Sequence, residues 1–545
     1  MRRGVSRCPC DNDTELLFAI APGVGQNHLV LSADGAHAVR PIIAGVAVAK
    51  VPITGAPLSF ADVVAVARGG APVELTPVAV AAMRRSRAQV DALAAGERPV
   101  YAISTGLGAL AGTRIPPERR SELQHALVRS HAAGMGEPIE AEVVRGMMLL
   151  RLRTLATGRC GVRPAVAEAL AALLNAGVTP RVPVHGSLGA SGDLAPLAHV
   201  AASLIGEDGG LAGAGLAPLR LEAKEGISLV NGTDGMLAML VLACEDARLL
   251  LRTADVAAAM SVEALLGTDR VFAADLQALR PHPGQAASAE NLSRLLAGSA
   301  IVASHRESPH AVQDSYSMRC TPQVAGAARD TLEFAVGVAE RELAAAIDNP
   351  VVLADGRVES NGNFHGEPLA FACDFLAIAC AEVGSIAERR VDRLLDPNRS
   401  AGLPAFLATE PGVNSGLMLA QYTAAALVAE NRLLAHPAST DSVPTSGMQE
   451  DHVSMGWSAA VKLRRLLVNV ARVLAVELLC AARGLELRAP LEPAPATAAV
   501  CELVRERAGG PGPDRLLAPE LAAVEQLVRA GAAVAAAETV AGGLR

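Results

Sequence analysis

Aromatic residues are the scarcest material in this chain: one Trp, three Tyr and eight Phe among 545 residues. A core without rings must be built from Ala, Leu and Val, which favours helices packed closely through small side chains. A basic excess is also missing. The formal charge of −8 argues against a nucleic-acid binder, which usually presents a basic face. No acidic run is long enough to read as a tail. No apolar run approaches the ~20 residues of a membrane span. Arg2 and Arg3 precede a short apolar "LLFAIA", but Asp11, Asp13 and Glu15 interrupt the approach and exclude a secretory signal. The nine cysteines are odd in number and scattered through apolar segments (Cys244, Cys373, Cys380, Cys480), as buried thiols of a reducing cytosol would be. Cys8-Pro-Cys10 lacks partner ligands at zinc spacing, so no metal is expected. These absences predict a cytoplasmic enzyme-sized chain with no membrane and no nucleic-acid partner.

What is present is helical pattern. Residues 1–56 have mixed polarity without a sustained period and read as an extension. From there "RRSELQHALVRSHAAG" (119–134) offers a capping box at Ser121/Gln124 and a glycine stop at Gly134. "EPLAFACDFLAIACAEVGSIAERRVDRLL" (367–395) and "AAVKLRRLLVNVARVLAVELLCAARGLEL" (459–487) each keep helical periodicity for about eight turns. Helices so long, apolar on more than one side, need several partners, and a bundle supplies them. One hairpin stands out, "VVL" and "RVES" around Ala354-Asp355-Gly356. The expected fold is mainly α, a long-helix bundle subunit with a smaller N-terminal domain. Its divisions are 1–56, 57–240, 241–490 and a C-terminal helical segment 491–545.

"HGSLGASGDLAPLAH" (185–199) crowds three glycines and two serines into one place. It lacks the Gly-x-Ser-x-Gly spacing of a nucleophile elbow and the Gly-Lys-Ser/Thr of a phosphate loop. One reading is a small-residue loop before a helix that Asp193 caps. Another is chemical. If the Gly192 nitrogen attacks the Ala190 carbonyl carbon and two waters leave, one of them from Ser191, the backbone itself becomes an electrophilic ring. Only small residues allow that compression, and the following helix would aim its positive end at the ring.

Ala190-Ser191-Gly192 in this setting resembles the signature of the histidine/phenylalanine ammonia-lyase family. So do "YAISTGLGAL", "VRSHAAGMG", "EGISLVNGTDGM", "VQDSYSMRCTPQV", "ESNGNFHGEP" and "TSGMQEDHVSMGW", met in that order from about residue 57 onward. The resemblance implies the ammonia-lyase/fumarase-like helical fold, a homotetramer whose active sites draw on different subunits, and a 4-methylideneimidazol-5-one formed from Ala190-Ser191-Gly192 with no external cofactor. By the same resemblance Tyr101 is the base, Tyr316 contacts the ring system and Arg319 holds the substrate carboxylate. Asn231 and Gln313 hydrogen-bond ring or substrate, and Phe364 lines the pocket. Ser130-His131 and Glu450 match the members acting on histidine, where other members carry Phe-Leu or His-Leu and a Gln. The implied reaction is the deamination of L-histidine to trans-urocanate. The runners-up are a tyrosine or phenylalanine ammonia-lyase or aminomutase. A pyridoxal-phosphate lyase needs a Schiff-base lysine, and Lys50, Lys224 and Lys462 have no phosphate-site context. The departures from the family pattern are Ala102, where Gly is common, Leu107 in place of Phe, Cys160, where Ser is frequent, and Met448, where Asn is frequent.

Overall fold

The structure, a computed structural model, describes residues 49–97, 99–307 and 312–545. The residues 1–48 of the expected extension, with Cys8, Cys10 and the "LLFAIA" stretch, lie outside the described residues. Helices dominate, and among the described residues the strands come only in pairs. We label the helices that bear on the site: α1 (Arg120–His131), α2 (Leu194–Leu204), α3 (Asp234–Ala264), α4 (Thr321–Ala344), α5 (Glu367–Leu395), α6 (Met418–Leu434) and α7 (Gly456–Glu486).

The bundle is built on α3, which packs on α4, α5 and α7, while α5 and α7 lie along each other and share α6. Nearly every residue of α3 is buried, from Gly235-Met236-Leu237 to Val262-Glu263-Ala264. A helix apolar all round is stable only inside a bundle. Small residues set the approach: a Cβ on Gly484 of α7 would stand 3.0 Å from Ala264 of α3. Both α3, with the short helix before it, and α5 are long and apolar enough to cross a membrane by length and composition. The apolar stretch of α3 is wholly buried in the fold. The sequence showed no such run because charges punctuate both helices.

The 367–395 helix is as expected, and the hairpin pairs Val351 with Glu359 and Val352 with Val358. The last long helix starts one turn earlier than its pattern, at Gly456, after Met455 in the left-handed region. The capping box at Ser121/Gln124 does not form. Ser121 Oγ donates to Leu221 O at 2.6 Å, and Gln124 Oε1 accepts from Gly226 N at 2.8 Å and Ile227 N at 3.3 Å. Gln124 therefore serves the start of the neighbouring helix Glu225–Val230. Tertiary packing has taken both side chains from the local turn.

Candidate active site

The glycine-rich loop runs from the strand Pro183–His185 to α2 and is tied down along its length. Gly189 O accepts from Gly366 N and from Ser454 Oγ, each at 3.0 Å, and Leu188 O accepts from Met455 N at 2.9 Å. Asp193 N donates to Gly232 O at 2.7 Å. Gly192 holds φ +74°, and a Cβ there would collide with the Gly232 backbone. Glycine is thus obligatory at 192 on both conformational and steric grounds. Ala190 and Gly192 are buried, and Ser191 is half-buried between them.

Asp193 stands before α2 but does not cap it with its side chain. Its Oδ2 accepts from Gly235 N at 2.8 Å and Met236 N at 3.0 Å, and Ser187 Oγ donates to its Oδ1 at 3.2 Å. The expected cap is on the wrong helix: Asp193 caps α3, satisfying two of the free N–H groups of its first turn. Burial pushes its carboxyl up to about 7, with the neighbouring Asp234 adding to the shift and the donated hydrogen bonds opposing it.

The other candidates lie on several further segments. The oxygen of Tyr101, half-buried, accepts from Gly108 N at 3.1 Å. Gly108 in turn faces Ser446, in the loop that Thr445 and Glu450 close by backbone pairing; Thr445 Oγ1 donates to Glu450 Oε2 at 3.1 Å. At the end of α1, Ser130 Oγ lies 3.0 Å from Leu127 O and 3.1 Å from His131 Nδ1. Burial lowers the His131 pKa, while a hydrogen bond to the Leu127 carbonyl and the Glu450 charge raise it. His131 and Glu450 are therefore electrostatic neighbours. Asn231 is buried, and its Oδ1 has no hydrogen-bond partner among the described residues. Phe364 is half-buried on the turn that leads to Gly366, and so to Gly189.

Tyr316, Arg319 and Gln313 are elsewhere. Tyr316 is 72% exposed, with the Arg319 guanidinium 4.7 Å above its ring, and Gln313 is exposed. Ser317 O accepts from Arg390 Nη1 at 3.1 Å, Arg390 pairs with Glu477, and Ser261 Oγ bonds Glu477 at 2.7 Å. The glycine-rich loop touches α3, α5 and α7 at Gly235, Gly366 and Met455; the Tyr316 segment is tied to them near Ser261, at Arg390 and through Glu477. At 1.5 Å per residue these attachment points are about 40, 35 and 30 Å apart. Three helices give the same answer: in one chain the two sets of residues occupy opposite ends of the bundle.

Sequence reasoning missed Ser187 and the true partner of Asp193, whose bonds close across 42 residues of chain, far beyond any local pattern. Of the four departures from the family pattern, Ala102 and Met448 have positive φ, +59° and +70°.

The model of the aromatic amino acid lyase family matches residues 58–506. The histidine ammonia-lyase of Streptomyces coelicolor is 61% identical over 90% of this chain and 98% of its own length. That of Symbiobacterium thermophilum is 51% identical over 90% of this chain and 99% of its own. Among solved structures, Trypanosoma cruzi histidine ammonia-lyase aligns with a TM-score of 0.83 and 39% identity, covering 90% of this chain and 96% of that one. A tyrosine aminomutase from Streptomyces globisporus aligns at 0.86 and 37%, covering 91% and 100%. Motif order, helical architecture and relatives agree: the chain belongs to the aromatic amino acid lyase family, as an ammonia-lyase.

Proposed function

We propose that this chain converts L-histidine to trans-urocanate and ammonia. The observation that carries the substrate is the presence of Ser130-His131 together with Glu450, whose charge acts on His131. An imidazole in a partly dry pocket needs polar partners, since an unpaired ring nitrogen there is costly. Glu450 offers an acceptor and Ser130-His131 a second polar contact. The histidine ammonia-lyases cited above support the same choice.

The loop fits the ring that the family's chemistry requires. Its three residues are small, Gly192 holds a backbone that only glycine accepts with Gly232 packed against it, and Gly189 and Asp193 fix both flanks. When formed from Ala190-Ser191-Gly192, 4-methylideneimidazol-5-one supplies an electrophile that makes the substrate's nitrogen a better leaving group. The remaining work falls to side chains. Tyr101, oriented by Gly108 N–H, takes the proton from Cβ. Asn231, with its free buried oxygen, hydrogen-bonds the reacting group. Arg319 grips the carboxylate with its planar fork. Tyr316 and Gln313 complete the pocket, and Phe364 lines it.

Arg319, Tyr316 and Gln313 can do so only if a second copy of the chain brings them, because in one chain they sit at the far end of the bundle. Assembly has surface to use: Phe334 of α4 and Phe371, Phe375 and Ile378 of α5 are partly exposed, with the Phe371 and Phe375 rings stacked at 5.8 Å. Such a patch is unusual on a lone subunit. We assign it to a homotetramer, acting in the cytoplasm.

The test is turnover of L-histidine, L-tyrosine and L-phenylalanine side by side, followed in the ultraviolet. Urocanate from histidine alone supports the reading. A cinnamate or coumarate product would keep the family and overturn the substrate. The aminomutase structure keeps tyrosine as the second reading, and a β-amino acid product would favour it.

A further inference from the structure

We propose that His365, Glu367 and His452 form a binding site for a divalent transition-metal ion of the zinc class. One ligand atom from each of the three lies within 4.8 Å of the other two. His452 Nδ1 and His365 Nε2 are 3.4 Å apart, with their rings stacked at 5.4 Å. That separation is long for a hydrogen bond. It is the edge of a tetrahedron with metal–nitrogen bonds of 2.0–2.1 Å, about 3.3–3.4 Å. Glu367 Oε2 is buried and has no hydrogen-bond partner among the described residues. A cation between the three answers both the loose ring contact and the orphaned oxygen. Two imidazoles and a carboxylate form a borderline donor set that suits zinc better than calcium or magnesium, and the exposed edge of His452 leaves a position for water. Loading has one small cost. A metal on His365 Nε2 puts the ring proton on Nδ1, so Glu367 N gives up its 3.3 Å bond to that atom.

The site was invisible in the sequence because its histidines are 87 residues apart. It joins the two segments that hold the glycine-rich loop: Gly366 follows His365, and Ser454 follows His452 by two. A bound ion staples these segments together through residues that have no assigned part in the reaction.

The experiment uses the full chain, stripped with a chelator, then dialysed against zinc chloride and assayed for metal by mass spectrometry. Wild type is expected to retain one zinc per chain more than His452→Gln, and zinc is expected to raise its melting temperature but not that of the variant. Other thiols and imidazoles contribute equally to both chains and cancel. His452 is exposed, so its variant should fold; matching metal-free melting curves check this. Equal zinc content in wild type and His452→Gln, or a metal-independent melt in both, overturns the proposal.

Discussion

Replacing Gly192 with Ala isolates the demand that the loop makes on its backbone. The substitution carries two costs. Alanine at φ +74° is left-handed, a penalty of about 1–2 kcal/mol. Its Cβ also enters the Gly232 carbonyl, which cannot retreat freely because Asp193 N holds that oxygen at 2.7 Å and Arg151 and Asp234 crowd the Cα behind it. Overpacking of this kind costs about 1–3 kcal/mol more. The sum, about 2–5 kcal/mol, is a large part of the 5–15 kcal/mol by which a folded protein is typically stable. Gly209 is the control: it has φ +75° and nothing within 4 Å of its built Cβ, so Gly209→Ala carries the conformational penalty alone. Thermal unfolding should rank wild type, Gly209→Ala and Gly192→Ala in falling order. Intact-mass measurement should find the loss of two waters in the first two and not in the third. Gly192→Ala that melts with Gly209→Ala and still loses two waters would refute the steric argument.

Asp193→Asn tests the buried cap through pH. Because burial raises the carboxyl from 3.8 to about 7, the native state keeps a proton that the unfolded chain has lost. That contribution is full below about pH 4 and lost as pH rises through 7, so the variant should gain stability relative to wild type across this window by denaturant titration; a flat difference would count against it. Glu450→Gln removes a charge-assisted bond worth about 1.5–3 kcal/mol, so kcat/KM for histidine should fall roughly 10- to 150-fold. Melting should stay put, because Gln can still accept from Thr445; unchanged kinetics would remove Glu450 from the site. Mixing inactive Tyr101→Phe with inactive Arg319→Ala chains, by co-expression, should restore part of the activity if sites combine two copies, and no recovery would contradict the opposite-ends geometry. Met448→Asn should raise stability by up to about 1 kcal/mol, since asparagine tolerates positive φ and the exposed methionine loses little packing; a lower melting temperature would show that Met448 has a contact worth more than its strain.

The long helices were legible because their signal is local. In 367–395 the apolar spacing, Pro368 at the start and the length together leave one solution, and the structure has the same bounds. Capping was legible only as a residue type. Ser121, Gln124 and Asp193 all look like caps, and two of them are, but of helices far away in sequence: Gln124 of Glu225–Val230 and Asp193 of α3. A polar side chain announces that it will bond a free N–H, and packing decides which one.

The departures at Ala102 and Met448 show the opposite case, in which a sequence difference acquires its physical meaning only from backbone angles. Both lie beside a candidate site residue, Ala102 directly after Tyr101 and Met448 two residues before Glu450. Glycine and asparagine are the residues that enter the left-handed region at least cost, and alanine and methionine hold it here against their preference. Ala102 is wholly buried and its neighbours fix it, Thr105 Oγ1 accepting from its N–H at 3.3 Å. Met448 is exposed, and its turn is held by the backbone pairing of Thr445 with Glu450. Strain of this kind persists only where surrounding structure over-determines the conformation. The loops carrying Tyr101 and Glu450 are therefore set by the scaffold around them, and not by their own local preference.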